Sequence, residues 1–366
     1  MPRQDASQFC RHSIRIGGII RTEPNRPRDA ISARLDQRLS QVVRILNDNA
    51  TLVVSGSKIA SDLGTSRSEV WRLVQQLRSL GLQIAGHPAT GYRLEAVPDL
   101  LLPAVLEPLI TGTIFSGRIS HFFRIGSTNA VALEAAQKGE SEGAVFISEE
   151  QTAGRGRGGH KWHSDRLGGI YISVLLRPAM APADAVALSL MTGLATACAV
   201  KEVTGTTSDL RWPNDLLLAR GESDRKFGGI LIELNAEITR IRHAVIGIGI
   251  NVNQESFPPD IADVATSLRL GTGRCWSRVD LTAALLRSLD REYRQLQSAP
   301  NAQVALQSRF EKASSYARGR QVQVDENAGY TGVTEGLDTR GFLLVRTDDG
   351  NLRTVLSGGV RGIDKV

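Results

Sequence analysis

The stretch QTAGRGRGGHKW, residues 151 to 162, combines residue types that hold anions. Its glycines let backbone N–H groups approach a ligand closely, while Arg155 and Arg157 bring fixed positive charge and forked hydrogen-bond donors. The loop also contains the GxGxxG spacing of dinucleotide sites, but that motif must open a helix, and this one runs into the apolar segment IYISVLL. We therefore predict a phosphate or carboxylate clamp that is neither a Rossmann fingerprint nor a P-loop.

Three further segments carry polar side chains between apolar runs. RIGSTNA at 124 to 130 places two hydroxyls and an amide between a strand and a helix, where they can hold a neutral polar group. RWPND at 211 to 215 offers a ring and a carboxylate, and its Asp215 is a candidate Mg²⁺ ligand. KFGGILIEL at 226 to 234 begins with a lysine that can direct one charge into a closely approached cavity. Singly, these segments are also compatible with a helix cap, a turn and an exposed strand edge.

The elements around these segments predict a mixed α/β region over residues 111 to 317. Apolar runs predict strands at HFFRI, AVFIS, IYISVLL, LLL, ILIEL and AVIGIGI, and periodicity predicts helices at 129 to 138, 183 to 203 and 280 to 296. Beyond residue 318 the short segments VQV, TGVTEGL, GFLLV and RTVL predict a small β-barrel. The proline-punctuated residues 97 to 110 are predicted to be a linker.

The N-terminal part predicts a winged helix-turn-helix over residues 35 to 96. Helices are expected at 33 to 46, at 58 to 63 with Ser57 as its cap, and after the capping box formed by Ser66 and Glu69. LQIA and YRLE, separated by GHPATG, predict the hairpin that forms the wing. An interaction module with a solvated polar helix is the alternative to DNA binding. The outer face of the third helix carries side chains that can reach phosphates and base edges, namely Arg67, Ser68, Trp71, Arg72, Gln75 and Gln76.

Composition places the 366-residue chain among globular proteins, with 41% hydrophobic and 22% charged residues. Of the net charge of +6, residues 1 to 34 contribute +4, so these residues are predicted to be a disordered basic tail. Three scattered cysteines argue against a disulfide framework and indicate a reducing cytoplasm. We find no clean secretory signal and no uninterrupted apolar run of membrane length, so no membrane association is expected.

Taken together, the motifs resemble one family, the biotin protein ligases, in the bifunctional form that is also the biotin operon repressor. The matching segments are IGSTN, EEQTAGRGRGGHKW, RWPND, KFGGILIEL and IGIGINVN, in the family's order and at its approximate spacing. The resemblance covers about residues 35 to 366. It implies an α/β (α+β) architecture with three parts: a winged helix-turn-helix, a mixed-sheet catalytic domain like that of class II synthetases, and an SH3-like C-terminal barrel.

The resemblance also implies a two-step reaction. Biotin and ATP give biotinyl-5′-adenylate, and a lysine of the biotin carboxyl carrier protein of acetyl-CoA carboxylase then takes the biotinyl group. A homodimer that binds operator DNA more tightly with the adenylate bound is expected, together with Mg²⁺ as a cofactor. The implied catalytic residues are Arg155, Arg157 and Lys226. The implied biotin-binding residues are Ser127, Thr128, Asn129, Gln151, Gly154, Arg155, Arg157, Lys226 and Gly229. The implied ATP-binding residues are Arg157, His160, Trp162, Asn214, Asp215 and Asn251, with Asp215 as the candidate Mg²⁺ ligand, and the implied DNA-binding residues are Arg67, Ser68, Arg72 and Gln75.

The sequence departs from the family pattern at two places. Gly158 and His160 stand where the loop often carries arginines, and Arg211 replaces the usual lysine of KWPND. Two other functions remain open from the residues. A lipoate or octanoate ligase of the same superfamily performs similar adenylation, but an aliphatic acid would leave the hydroxyls and amide of RIGSTNA without a partner. A non-catalytic, ligand-sensing transcription factor is the second, and the presence of Lys226, Arg157 and Asp215 argues against it.

Overall fold

The computed structural model describes residues 38–49, 52–96, 99–220, 223–298, 301–326 and 328–363. The predicted basic tail, residues 1 to 34, lies outside these ranges. The described residues form an N-terminal helical unit with a hairpin, a central seven-stranded sheet covered by helices, and a five-stranded C-terminal sheet. The predicted order of fold types along the chain is therefore confirmed.

The N-terminal unit is a winged helix-turn-helix. It contains α1 over residues 38–48, α2 (Gly56–Asp62), α3 (Arg67–Ser79) and the antiparallel hairpin of β1 (Gln83–His87) and β2 (Gly91–Ala96). The Ser66 hydroxyl accepts a hydrogen bond from the backbone N–H of Glu69, as the predicted capping box requires. The predicted cap of α2 was wrong. The hydroxyl of Ser55, not of Ser57, accepts a hydrogen bond from the N–H of Lys58. Ser55 has the extended backbone of an N-cap residue, so the helix begins two residues earlier than predicted.

The central sheet is mixed. Its strands are β3 (Ile119–Phe122), β4 (Val145–Ser148), β5 (Gly169–Leu176), β6 (Asp209–Arg211), β7 (Asp215–Arg220), β8 (Ser223–Ala236) and β9 (Ile241–Asn251), in the order β3-β4-β5-β9-β8-β7-β6. Only the pair β3 and β4 is parallel. The first strand was predicted at 121 to 125, but the chain leaves the sheet after Phe122, and Phe123 packs instead into the core of the winged helix-turn-helix.

Helices cover both faces of the central sheet. On one face lies α5 (Thr128–Gln137), whose small residues pack on Leu175 of β5 and Val245 of β9. The other face carries α6 (Val186–Thr204), α8 (Arg278–Ser298) and α9 (Ala302–Ala313), while the short α7 (Leu268–Thr272) follows β9 in the chain. The stretch Pro182–Thr204 is long and apolar enough to cross a membrane: an 18-residue window in it has a mean hydropathy of 1.6, but 67% of that window is buried inside the fold. It is therefore a core helix.

The C-terminal unit is an antiparallel sheet in the order β13-β12-β11-β10-β14. Its strands are β10 (Arg318–Val324), β11 (Tyr330–Leu337), β12 (Leu343–Thr347), β13 (Leu352–Val355) and β14 (Val360–Gly362). The last strand was not predicted, because three residues with a single buried side chain carry no periodic pattern.

The segment predicted to be a linker is folded over residues 99 to 110. It forms the short helix α4 (Pro103–Leu106) and a 3₁₀ turn, and Leu100, Leu101 and Leu102 are buried. The Asp99 carboxylate accepts hydrogen bonds from the first backbone N–H groups of α8, and Leu101 N–H donates to the buried Glu149 carboxylate. The connection between the N-terminal unit and the central sheet is thus held by specific contacts.

Candidate functional site

Glycines in the middle of the sheet form the floor of a pocket. Gly247 and Gly249 alternate along β9 and therefore face the same side, and Gly229 of β8 pairs directly with Gly249. A β-carbon on Gly247 would collide with the Asn129 side chain, and one on Gly249 would collide with the Trp162 indole. The bare strand backbone thus allows two side chains from other segments to lie flat against the sheet.

A buried polar recess lies at the Gly247 end of this floor. Thr128 donates through its backbone N–H (2.9 Å) and its hydroxyl (3.1 Å) to the side-chain oxygen of Gln151. Asn129 donates to the Glu233 carboxylate at 2.9 Å, and its own side-chain oxygen accepts a hydrogen bond from Ser173 at 2.5 Å. These polar groups come from α5, the loop after β4, β5 and β8, and together they fix the orientation of each hydroxyl and amide.

A cationic cluster lies at the other end, beside Gly229. Lys226 Nζ lies 2.5 Å from Asp215 Oδ1, and Arg211 donates to Asp215 Oδ2 at 2.7 Å. Burial by itself would raise the pKa of the Asp215 carboxyl, but the charges and hydrogen bonds of Lys226 and Arg211 outweigh it and lower that pKa. Asp215 is therefore a permanent anion that holds two cations in fixed positions.

Arg157 extends the cationic cluster across the pocket. Its guanidinium donates to the side-chain oxygen of Asn214 at 3.4 Å, and Asn214 in turn donates to the Ile230 carbonyl at 2.9 Å. Burial lowers the pKa of Arg157, and the nearby Asp215 carboxylate partly opposes this effect. A guanidinium keeps its charge under any such shift, so the pocket holds a partly desolvated cation, which strengthens its attraction for an anionic ligand.

Residues 151 to 162, which we call the lid loop, close one side of the pocket. The loop folds back on itself: Gly156 N–H donates to the His160 carbonyl at 2.7 Å, and Trp162 N–H donates to the Gly154 carbonyl at 3.0 Å. A β-carbon on Gly154 would come within 2.6 Å of the Trp162 carbonyl, so this return requires glycine. The chain makes a 3₁₀ turn at Arg157–Gly159, with Gly158 in the left-handed region, and no helix follows, as predicted.

Trp162 lies over the glycine floor, and its ring centroid is 5.5 Å from Lys226 Nζ. Its indole N–H is buried and has no acceptor among the described residues. A buried donor without a partner is costly, so this N–H is a candidate contact for a bound ligand.

The structure brings most of the predicted site residues into one pocket. Those that line it are Ser127, Thr128, Asn129, Gln151, Arg155, Arg157, Trp162, Asn214, Lys226 and Gly229. Four others lie around it. Gly154 supports the lid loop, Asp215 lies behind Lys226, and His160 is exposed on the loop. Asn251 is buried and donates to the Thr266 carbonyl at 3.0 Å, which anchors the segment that pairs with Lys226.

Sequence reasoning identified Gly229 but missed Ser173, Glu233 and the other two floor glycines, Gly247 and Gly249. Ser173 is a single polar residue in an apolar strand, and only the pairing of β5 with β9 reveals that it lies next to Gly247. The glycines gave a detectable signal, because two glycines at a period of two in an apolar strand leave one face bare. Trp212, the aromatic residue of RWPND, is buried in the core and is not exposed to the pocket; its indole N–H donates to the Gly341 carbonyl at 3.0 Å.

The predicted Mg²⁺ site can be tested against this geometry. Both oxygens of Asp215 are engaged by cations, and the described ranges contain no group of three or more His, Cys, Asp or Glu side chains that could hold a metal ion. Mg²⁺ commonly binds through substrate phosphates with only one or two protein carboxylates. The residues thus fit a metal that arrives with a nucleotide better than a metal held by the protein.

The predicted DNA-binding residues lie on α3 beside the wing. Arg67 donates to the Pro88 carbonyl in the wing turn at 2.7 Å, so the start of α3 is tied to the wing. Arg72 makes a two-point ion pair with Glu69, and the hydroxyls of Ser68 and Ser66 are hydrogen-bonded. Gln75 is half-buried.

Three family models match the chain in order. An HTH domain matches residues 38–93, the biotin/lipoate A/B protein ligase family matches residues 122–251, and the biotin protein ligase C-terminal domain matches residues 319–360. These matches fall on the winged helix-turn-helix, on the sheet that bears the pocket, and on the C-terminal sheet.

Relatives match over most of the chain. The bifunctional ligase/repressor BirA of Bacillus subtilis is 31% identical over 84% of this chain and 94% of its own length. That of Escherichia coli is 31% identical over 80% of this chain and 88% of its own length. A solved structure of the biotin protein ligase from Aquifex aeolicus, in complex with biotin and ATP, is 29% identical, with a TM-score of 0.58 over 68% of this chain and all of that one.

Proposed function

The chain belongs to the biotin protein ligase family, and from this premise we propose that it joins biotin to ATP and then transfers biotin to a protein lysine. In the first step a biotin carboxylate oxygen attacks the α-phosphorus of ATP, the bond to the β-phosphate oxygen breaks, and pyrophosphate leaves. In the second step the lysine amine attacks the carbonyl carbon of biotinyl-5′-adenylate, loses a proton and releases AMP.

One observation carries this proposal: the polar recess and the cationic cluster lie on the same glycine floor. Gly247 and Gly249 are two residues apart on β9, so the two sites are separated by about 7 Å along the strand. A ligand with a polar ring at one end and a carboxylate at the other matches this order. Biotin has these two ends, and the Aquifex aeolicus relative was solved with biotin and ATP.

The first step brings two anions together, so its barrier depends on positive charge at the point where the carboxylate meets the α-phosphate. Lys226 and Arg157 supply that charge, and the lid loop contributes Arg155. Asp215 holds Lys226 in place before the reaction, and Mg²⁺ enters as MgATP. The lid loop also excludes water from the adenylate, which hydrolysis would otherwise destroy.

The other roles follow from position. The recess residues Ser127, Thr128, Asn129 and Gln151 bind the ureido head of biotin, Gly229 lines the pocket beside them, and Gly154 lets the lid loop fold over the bound ligand. The nucleotide-binding residues that we propose are Arg157, His160, Trp162, Asn214, Asp215 and Asn251. The unpartnered indole N–H of Trp162 supports a contact with the nucleotide.

The acceptor that we propose is the biotin carboxyl carrier protein of acetyl-CoA carboxylase. Relatives in Mycobacterium tuberculosis and Paracoccus denitrificans are named biotin–[acetyl-CoA-carboxylase] ligases, at 36% and 37% identity. The acceptor lysine must reach the cationic end of the pocket, where the activated carbonyl lies.

The test is pyrophosphate release from MgATP by the purified protein, with biotin, octanoate and lipoate compared at matched concentrations. We expect release with biotin only, because the recess presents fixed hydroxyl and amide groups, and an aliphatic acid has no polar head to bond to them. Release with octanoate or lipoate would assign the chain to the lipoate branch of the superfamily. No release with any of the three would favour a ligand sensor without catalysis.

We also propose that the chain is a homodimeric, biotin-responsive repressor. The support is the winged helix-turn-helix with an exposed α3, joined through a folded connection to the ligand-binding unit. Gel shifts on operator DNA with and without biotin and ATP test this role, and sedimentation tests the dimer. Binding that is absent, or unchanged by the ligands, would leave the chain as a ligase alone.

A further inference from the structure

The RWPND segment joins the pocket to the C-terminal sheet. The Arg211 guanidinium donates a hydrogen bond to Asp215 Oδ2 on the pocket side. The same group lies over the ring of Tyr316, 5.8 Å from the centroid. The next residue, Trp212, donates to the Gly341 carbonyl of the C-terminal unit. Arginine at position 211 matters here, because a planar guanidinium can ion-pair and stack at the same time, whereas an ammonium group acts as a point charge.

Tyr316 is itself held rigidly at the junction of the two units. It is 3% exposed, and its hydroxyl donates to Asp224 at 3.3 Å. The residues just before it are fixed as well: Ser315 N–H donates to the Asp209 carboxylate at 2.8 Å, and the Ser314 hydroxyl donates to the Leu210 carbonyl. Tyr316 therefore has one position relative to β6, the strand that leads into RWPND.

Arg320 of β10 completes the cluster. Its guanidinium lies over the same ring, 5.1 Å from the centroid, and 4.0 Å from the Asp224 carboxylate. Charges thus alternate from the pocket outward: Asp215, Arg211, the negative ring face of Tyr316, and Arg320 with Asp224. The C-terminal unit contributes Arg320 to this series, Tyr316 lies just before that unit, and neither residue lines the pocket.

The position of Arg211 determines how Asp215 is shared. With Arg211 fixed on Oδ2, the other oxygen, Oδ1, faces Lys226 Nζ at 2.5 Å. If Arg211 lost its stacking surface it would become mobile, and Lys226 would then be the main partner of a buried anion and less free to meet the reacting phosphate and carboxylate.

We propose that Tyr316, whose ring also carries Arg320 of the C-terminal unit, is a positioning residue for adenylation that acts through Arg211 and Asp215 on Lys226. This role rests on the proposed ligase function. Tyr316 should affect the rate of the first step but not the affinity for biotin, because the recess lies at the other end of the glycine floor.

The experiment compares Tyr316→Leu, Tyr316→Phe and Tyr330→Leu in the full chain. Tyr330 of β11 is the matched control, since its ring carries a similar stack with Arg353, 5.0 Å from the centroid, and it does not line the pocket. Single-turnover formation of biotinyl-adenylate from MgATP and biotin is measured well below the melting temperature, with biotin affinity by calorimetry. Tyr316→Leu should slow adenylation about tenfold and leave biotin affinity within about twofold, while Tyr316→Phe, which keeps the ring, should retain the rate.

A double variant separates positioning from general stability. If Tyr316 acts through Arg211, then Arg211→Gln combined with Tyr316→Leu should be no slower than Arg211→Gln alone. Additive losses, a normal rate in Tyr316→Leu, or an equal loss in Tyr330→Leu would overturn the role of Tyr316. An inactive wild-type protein would instead contradict the proposed function, so the two failures are distinguishable.

Discussion

At the residue scale, the charge on Lys226 is the contribution that adenylation needs most. Lys226→Ala should reduce pyrophosphate release about 10² to 10³-fold, because a fixed cation at developing negative charge is worth several kcal/mol. The variant should still fold, since Arg211 continues to neutralise the Asp215 carboxylate. Single-turnover adenylation and thermal unfolding are the measurements, with Lys201→Ala on the exposed end of α6 as the control. Normal turnover in Lys226→Ala would refute the role assigned to this residue.

The glycine floor should be essential for biotin binding, because it leaves room for the Asn129 side chain. In Gly247→Ala the new methyl group would displace the Asn129 side chain, so biotin affinity should fall at least about tenfold, since a misplacement of about 1 Å can cost that much. The core on the opposite face should remain intact. Gly193→Ala in α6 is the control, because its β-carbon would meet only ordinary contacts, the nearest at 3.6 Å. Calorimetry that gave the same biotin affinity for both variants would contradict the assignment of the recess.

At the element scale, a buried ion cluster holds the connection between the winged helix-turn-helix and the sheet. Glu149, at the end of β4, accepts hydrogen bonds from His121 (3.0 Å), Arg278 (2.8 Å) and the Leu101 N–H (2.8 Å). Burial alone would raise the pKa of Glu149, but His121, Arg278 and the backbone lower it to about 2. A carboxylate with a lowered pKa stabilises the fold above its unfolded pKa, and this stabilisation is lost as the pH falls toward 2.

Glu149→Gln should therefore lower the free energy of unfolding at pH 7 by about 3 kcal/mol, because it leaves the buried Arg278 without a charged partner at this position. Between about pH 4.5 and pH 2 the wild-type protein should lose this advantage, so that the two stability curves converge. Urea unfolding at several pH values measures both effects. Glu237→Gln is the control, because Glu237 also has a pKa of about 2 but lies in an exposed pair with Arg240 and Arg242. If the stability curves of the wild-type protein and Glu149→Gln stayed parallel, the stabilising role of the buried ion cluster would be contradicted.

Contacts between elements that are distant in the chain could not be predicted from the sequence, whereas local features could. The capping box of α3, the long core helices and the motif segments at strand ends could be predicted because their signals are local. Ser173, Glu233 and Tyr316 could not, since each acquires its partner from a strand or unit distant in the chain. Such contacts depend on the register in which strands pair. The sequence pattern indicates which face of the sheet a side chain occupies, but not which residue of the neighbouring strand lies beside it.

At the scale of the whole molecule, the segment that follows the lid loop contacts the winged helix-turn-helix through Leu167. Leu167 has a left-handed backbone with φ of 61° and packs against the core of the winged helix-turn-helix. Its N–H donates to the Glu149 carbonyl at 3.1 Å, so it is also attached to the ion cluster. A change in the lid loop on ligand binding is therefore expected to reach the DNA-binding unit through Leu167.

Leu167→Ala tests that connection. The variant should make biotinyl-adenylate at the wild-type rate, because Leu167 does not line the pocket. The factor by which biotin and ATP increase operator affinity should be at least about threefold smaller than in the wild-type protein. Fluorescence anisotropy on operator DNA, with and without the ligands, measures the ratio. Leu352→Ala, an exposed leucine of the C-terminal sheet, is the control. An unchanged ratio in Leu167→Ala would show that ligand binding reaches the DNA-binding unit by another route, because a contact that couples two sites must alter their coupling free energy when it is removed.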